Sequence, residues 1–214
     1  MNQHVYQRRP VGDSAIPTII FALIIINGLL FALQQSPDFF QFLFRNFALW
    51  PLAATFPNPE FGMWQVMTYG FLHGDVMHIA FNMFMLWMFG REIELMLGPQ
   101  RFFIYYMTCV IGAAAIQLVV AQIQGGIYPT VGASGGVYGL LLAYGMAFPN
   151  RMIMLMFPPI PMKAKYMVIM FGAMELYLGL SGRAPGVANF AHLGGMLFGY
   201  LLIQHWRANP RDRR

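Results

Sequence analysis

Four polar residues stand out because they lie within apolar segments of the chain: Ser134, His192, His78 and Asn82. A serine hydroxyl is a poor nucleophile near neutral pH and needs an adjacent base. Histidine suits that task because its ordinary pKa is about 6.5. Ser134 and His192 therefore form a candidate pair of nucleophile and general base.

An attack by Ser134 on a carbonyl group would also need hydrogen-bond donors for the developing oxyanion. The backbone N–H of Ser134 at a helix N-terminus is one such donor, and a single donor is typically worth about 3 kcal/mol of barrier. His78 and Asn82 are spaced i and i+4, so their side chains share one helix face and could supply two more donors. Taken alone, the same two residues fit interior hydrogen bonds to a neighbouring helix at least as well.

Two faces of small residues could bring the serine and the histidine together. Gly195 and Gly199 share a helix face with His192, and Gly135 and Gly139 follow the serine. Gly-x-x-x-Gly spacing lets two helix backbones approach closely, although in isolation it indicates packing rather than chemistry.

The composition indicates which solvent surrounds the chain. Hydrophobic residues make up 58% and charged residues only 10% of the 214 residues, whereas soluble proteins carry roughly 25% charged residues. Most of the surface must therefore face lipid. The net charge of +5 does not indicate a nucleic-acid partner, because no basic run is interleaved with aromatic residues. The single cysteine, Cys109, excludes a disulfide framework and a cysteine-based zinc site.

The positions of the charged residues divide the chain into membrane spans. A helix needs roughly 20 mostly apolar residues to cross a hydrocarbon core of about 30 Å. We predict an all-α, polytopic membrane protein with six transmembrane helices in a membrane domain of residues 16–206. The approximate spans are 16–34, 71–90, 102–121, 134–148, 164–180 and 187–206. The broken, aromatic segment 37–63 is expected to lie in the outer membrane interface.

The basic residues set the expected orientation. With the N-terminus inside, all lysine and arginine residues except Arg45 and Arg183 fall at the inner ends of the spans. This positive-inside bias places the tail 1–15 and the basic tail 207–214 in the cytoplasm. We therefore expect a multi-pass protein of the cell's inner (plasma) membrane.

The span 134–148 is the shortest of the six. It would extend for only about 22 Å, which is too short for the hydrocarbon core, so Ser134 is expected below the outer surface in a cavity reached by water. Residues 132–136 (GASGG) also match the G-x-S-x-G nucleophile elbow of soluble hydrolases. That motif needs an α/β sheet, which six membrane spans exclude.

Three segments together resemble the rhomboid family of intramembrane serine proteases, specifically its basic six-helix bacterial form. They are 73–82 (HGDVMHIAFN), 132–136 (GASGG) and 188–199 (ANFAHLGGMLFG), on the second, fourth and sixth predicted helices. The resemblance implies a rhomboid-like bundle with a short central fourth helix. It also implies cleavage of transmembrane or membrane-tethered protein substrates near the outer face by a Ser–His dyad, without a metal, another cofactor or a third acidic residue.

The resemblance also assigns roles by position. It makes Ser134 the nucleophile, His192 the general base, and His78, Asn82 and the Ser134 backbone the oxyanion donors. Tyr138 occupies the place of the aromatic residue that packs on the catalytic histidine, and lipid or core packing is the alternative for it. Gly132 matches the loop glycine beside the oxyanion site.

Three further residues are compared with the family pattern. Gln65 stands where many members have an arginine, which puts in doubt any anchoring of a loop by that arginine. Glu94 resembles a family glutamate beyond the second helix, and we expect a structural role for it. Glu175, in the fifth helix, receives no role, and it either faces cavity water or pairs with another polar group.

Two alternatives to an active protease stay open. A rhomboid-like pseudoprotease binds transmembrane clients without cutting them, but its relatives usually lack the serine or the histidine. A channel or transporter would account for the intramembrane histidines and Glu175, although no inverted repeat is visible.

Overall fold

A computed structural model of the chain describes residues 17–55, 57–154, 159–183 and 186–209. The predicted tail 1–15 lies outside the described residues, as do residues 210–214 of the predicted tail 207–214.

The described residues form eight α-helices, one turn of 3-10 helix and a two-stranded antiparallel sheet. In chain order the helices are α1 (Thr18–Leu33), α2 (Pro37–Phe47), α3 (Gln65–Thr68), α4 (Val76–Leu97), α5 (Pro99–Gln124), α6 (Ser134–Ala147), α7 (Ala164–Ser181) and α8 (Asn189–Ala208). The 3-10 turn is Tyr69–Phe71, and the strands β1 (Met152–Met154) and β2 (Pro161–Lys163) lie between α6 and α7.

Each predicted span overlaps one of the long helices, which are α1 and α4 to α8. Within the described ranges, α5 alone is long and apolar enough to cross a membrane by length and composition, and α1 is apolar but shorter. The small sheet departs from the all-helical prediction, with Met152 opposite Lys163 and Met154 opposite Pro161. A proline is tolerated in a short edge strand, whereas it would break a helix interior.

Helix α4 begins later than the predicted span 71–90. The Asp75 side chain caps it, since Oδ1 accepts a hydrogen bond of 2.8 Å from the His78 backbone N–H. Such a cap satisfies one of the N–H groups that have no acceptor within the helix. Phe71 instead closes the preceding 3-10 turn, so His78 lies in the first turn of α4.

The predicted end of this helix at Gly90 is wrong, because α4 continues to Leu97. Arg91 and Glu92 end the apolar run but not the helix, since their charged groups reach the surface. Glu92 pairs there with Arg151 at 3.2 Å. A charge therefore ends the apolar run without ending the helix.

Glu94, in the last turn of α4, is buried and caps the start of α1. Its two carboxylate oxygens each accept a hydrogen bond of 2.9 Å, one from the Ile19 N–H and one from the Ile20 N–H. These groups belong to the first turn of α1, where no intrahelical acceptor exists. Glu94 therefore fixes α1 on α4, and it lies within the second long helix rather than beyond it as predicted.

Helix α6 is the central helix of the bundle. It packs against α4, α5, α7 and α8, and most of its residues are buried. A helix that is apolar on every side is typical of the interior of a protein or of a membrane span. Its 14 residues extend for about 21 Å, so its first residue, Ser134, starts inside the bundle.

Replacement of Glu94 by glutamine tests the cap on α1. One amide N–H₂ would face a backbone N–H, so Glu94→Gln should destabilise the fold by about 1.5–3 kcal/mol, as for other hydrogen bonds to a charged group. The measurement is thermal unfolding in detergent. Unfolding is monitored by the reaction of a thiol dye with Cys109, which is fully buried in the folded chain.

Glu92→Gln is the matched control, because its pair with Arg151 is solvent-exposed and should contribute no more than about 1 kcal/mol. Equal melting temperatures for Glu94→Gln and the parent chain would contradict the capping role.

Candidate active site

Ser134 and His192 lie in direct contact. Ser134 is the first residue of α6 and His192 lies in the first turn of α8. The Ser134 Oγ and the His192 Nε2 are 2.8 Å apart, which is the separation that a nucleophile and its general base need for proton transfer.

The close packing of α6 on α8 brings these two side chains together. A Cβ added at Gly195 would overlap the backbone carbonyl of Gly135. A Cβ added at Gly139 would overlap the Cys109 sulfur and lie 3.2 Å from the Gly195 carbonyl oxygen. Gly195 of α8 thus contacts the backbone of α6 directly beneath Ser134, whereas Gly199 faces Tyr105 and Cys109 of α5. A larger residue at Gly195 would force Ser134 and His192 apart.

The loop before Ser134 is held at several points. The Leu49 and Thr130 backbones exchange two hydrogen bonds, of 3.0 and 2.9 Å. The Gly132 N–H donates to the Tyr69 carbonyl at 3.0 Å, and the Tyr69 hydroxyl donates to the Val110 carbonyl at 2.8 Å. Protein groups therefore satisfy the backbone of Thr130 and the N–H of Gly132 in this irregular segment.

Gly132 leaves room for His78 beside the serine. Its φ of +127° is strained for any side chain, and a Cβ there would lie 2.7 Å from the His78 Nε2 and 3.6 Å from the Ser134 Oγ. The His78 Nδ1 accepts a hydrogen bond of 3.3 Å from the Gly74 N–H. In a neutral ring the other nitrogen, Nε2, then carries the proton. His78 thus presents a donor to the space next to Ser134.

Asn82 lies one turn further along α4 and is buried. Its Nδ2 donates to the His78 carbonyl at 2.8 Å, a bond to the preceding turn rather than to Ser134 or His192. Of the predicted oxyanion donors, the structure brings the Ser134 backbone and His78 together, and Asn82 lies one turn beyond His78 on the same helix face.

Tyr138 packs face to face on His192. The two ring centroids are 4.3 Å apart and the ring planes differ by 4°. The Tyr138 hydroxyl donates to Glu175 Oε1. The tyrosine therefore fixes the plane of the imidazole, in the place where the sequence analysis expected an aromatic residue.

Glu175 also contacts His192 and Tyr138, although the sequence alone did not predict its partners. Its Oε2 lies 3.0 Å from the His192 Nδ1 and accepts a hydrogen bond of 2.6 Å from the Asn189 Nδ2. Of the two expectations for Glu175, the structure shows pairing with polar groups. The available signal was a single carboxylate in an otherwise apolar membrane helix, which indicates function by default.

Gln65 holds the segment around Trp50, next to Leu49, whose backbone pairs with Thr130 in the loop before Ser134. It is buried, and its Oε1 accepts a hydrogen bond of 3.0 Å from the Trp50 N–H. Its Nε2 donates to the Asn46 and Glu60 carbonyls at 3.4 and 3.3 Å. The Gln65 amide thus joins three backbone groups of this segment. The family resemblance implies an arginine at this position.

A comparison with protein families decides the identity of this fold. The model of the rhomboid domain matches residues 60–207, a range that contains every candidate residue above. The chain belongs to the rhomboid family. Rhomboids are integral membrane proteins, and the mostly helical fold fits a polytopic membrane bundle.

Individual relatives match most of this rhomboid. Rhomboid protein 1, mitochondrial, of Saccharomyces cerevisiae is 29% identical over 185 residues, which are 86% of this chain and 51% of that protein. Presenilin-associated rhomboid-like protein, mitochondrial, of Homo sapiens is 26% identical over 191 residues, 87% of this chain and 48% of that protein. Rhomboid protease GluP of Bacillus subtilis is 32% identical over 139 residues, 64% of this chain and 25% of that protein. This rhomboid spans about half of these relatives or less.

Replacement of Gly195 by alanine tests the contact between α6 and α8. Because the added methyl group would overlap the Gly135 carbonyl, Gly195→Ala should cost about 1–3 kcal/mol of stability, as overpacking typically does. The measurement is the melting temperature of the rhomboid in detergent.

Gly28→Ala is the control for this experiment, because no atom lies within 4 Å of a Cβ at Gly28 in α1. A Gly195→Ala variant as stable as Gly28→Ala would show that the two backbones are not in contact.

Proposed function

We propose that this rhomboid is an intramembrane serine endopeptidase that cleaves transmembrane or membrane-tethered proteins near the outer face of the membrane. The observation that carries the proposal is the hydrogen-bond contact of 2.8 Å between the Ser134 Oγ and the His192 Nε2. A pair of this kind activates a serine for attack on a carbonyl group. The name of the Bacillus subtilis relative, Rhomboid protease GluP, supports the same chemistry.

The reaction begins when the Ser134 Oγ attacks the substrate carbonyl and His192 takes the hydroxyl proton. The oxyanion of the tetrahedral intermediate accepts hydrogen bonds from the Ser134 backbone N–H, the His78 side chain and the second N–H of the Asn82 amide, whose first N–H bonds the His78 carbonyl. His192 then returns the proton to the leaving amine, and an acyl-enzyme forms on Ser134. Water, activated by His192, hydrolyses the ester and releases the second product.

The proposal includes six membrane crossings, by α1 and α4 to α8. The short α6 sets Ser134 in the outer half of the membrane, and the loop before it leads to outer water. Both termini lie in the cytoplasm, and the protein resides in the inner (plasma) membrane. The distribution of lysine and arginine supports this orientation, since Arg45 and Arg183 are the two exceptions to the positive-inside bias.

Substitution of either member of the pair tests the protease function. Ser134→Ala and His192→Ala should each lower cleavage by at least about 1,000-fold, as loss of either group does in other serine hydrolases. The measurement is the initial rate of cleavage of a single-span reporter reconstituted with the rhomboid in liposomes.

Ser181→Ala provides the matched control, because that serine is exposed at the end of α7 and should leave the rate unchanged. Undiminished cleavage by Ser134→Ala or His192→Ala would refute the assignment. Absence of cleavage by the parent chain across a panel of single-span proteins would favour the client-binding pseudoprotease.

Reporter fusions test the orientation. A fluorescent protein at either terminus should fluoresce and alkaline phosphatase there should stay inactive, because both termini are proposed to be cytoplasmic. Alkaline phosphatase inserted after Gly125, between α5 and α6, should be active. Active phosphatase at the C-terminus would contradict the proposed topology.

A further inference from the structure

Glu175 is a buried carboxylate in an apolar membrane helix. It is 3% exposed, and it is the only acidic residue of α7. A carboxylate in such surroundings is costly unless hydrogen bonds satisfy it. Two hydrogen bonds and one ion-pair contact do so, and all three partners come from the two helices that carry Ser134 and His192. They are the Tyr138 hydroxyl of α6, and the Asn189 amide and the His192 imidazole of α8.

The arrangement of these partners fits an ionised acceptor. Asn189 Nδ2 and Tyr138 O–H donate to different oxygens of the carboxylate, and an ionised carboxylate can only accept. His192 Nδ1 lies 3.0 Å from the same oxygen as Asn189, so an ionised carboxylate there favours the tautomer with the hydrogen on Nδ1. The contact is an ion-pair approach rather than an aligned hydrogen bond, because Nδ1 has no hydrogen-bond partner in the described part of the chain.

This tautomer is the one that general-base chemistry needs. With the hydrogen on Nδ1, the neutral imidazole leaves Nε2 free to accept the hydroxyl hydrogen of Ser134. When His192 takes the proton, the ring becomes a cation whose Nδ1 lies 3.0 Å from the Glu175 oxygen. The carboxylate charge is thus closest to the atom where positive charge develops.

Tyr138 and Asn189 hold the carboxylate in place. Tyr138 stacks on the face of His192 at 4.3 Å and donates to Glu175 from its hydroxyl end. Asn189 precedes His192 by one turn of α8 and donates at 2.6 Å. The imidazole is therefore fixed by its face and by its Nδ1 edge together.

We propose that Glu175 is a positioning residue for His192, so that the site operates as a Ser–His–Glu arrangement whose third member is supplied by α7. This inference rests on the proposed protease function. It departs from the dyad without an acidic residue that the family resemblance implies. Since Glu175 comes from a different helix from either Ser134 or His192, the site is complete only when α7 is docked against α6 and α8.

Three substitutions separate positioning from packing. Glu175→Gln keeps an acceptor for Nδ1 but removes the charge, Glu175→Leu removes both, and Glu175→Asp keeps the charge on a shorter side chain. We expect kcat to fall about 100-fold or more for Glu175→Gln and further for Glu175→Leu, since loss of the orienting carboxylate in a serine protease costs up to about 10⁴-fold. Glu175→Asp should recover part of kcat, and KM should change by less than about threefold in each variant.

The assay uses the full chain in liposomes with the single-span reporter, and the melting temperature is recorded for every variant. Glu94→Gln is the matched control: its buried carboxylate caps α1, away from the pair, so it should lose stability and keep kcat. A Glu175→Gln variant with the kcat of the parent chain would overturn the inference.

Tyr138→Phe keeps the test decisive if Glu175→Gln does not fold. It retains the stacked ring and removes one hydrogen bond to Glu175, so kcat should fall about three- to tenfold at unchanged KM. A parent-like kcat for Tyr138→Phe would then overturn the inference. Ser134→Ala separates a failure of the protease proposal from a failure of the role of Glu175. Cleavage by Ser134→Ala would contradict the protease proposal itself. An inactive Ser134→Ala variant together with fully active Glu175 variants would contradict only the role of Glu175.

Discussion

The contact between the backbones of α6 and α8 is the constraint on which the rest of the structure depends. Gly135 and Gly195 meet without side chains between them, and at that distance Ser134 Oγ reaches His192 Nε2 at 2.8 Å. Helices in lipid gain no hydrophobic driving force from one another, so tight packing and hydrogen bonds must hold them together. The same glycines therefore join the helices and set the geometry of the pair.

Buried polar side chains fix the remaining elements around this contact. Glu94 joins α4 to α1, Gln65 joins α3 to the segment around Trp50, and Glu175 joins α7 to α6 and α8. Each makes at least two hydrogen bonds, which offsets the cost of removing it from water. Apolar packing is non-directional, whereas these bonds specify where each helix lies and how it is rotated.

The sequence predicted the long helices well where charges or glycines mark both ends, as for α6 and α7. It misplaced the end of α4 because Arg91 and Glu92 end the apolar run without breaking the helix. Ser134 and His192 could be paired from residue type and motif, because their chemistry is specific. The partners of Glu175 could not, because α7 is apolar on every side and its sequence does not reveal which face turns toward His192. The sheet between α6 and α7 depends on pairing between strands that lack strong alternation.

Labelling with a fluorophosphonate, followed by mass spectrometry of the peptides, tests the central claim most directly. If His192 activates Ser134, the folded protein in membranes should carry the phosphonyl group on Ser134, and His192→Ala should lose that adduct. A folded parent chain without an adduct on Ser134, or equal labelling of Ser134 in His192→Ala, would contradict the account.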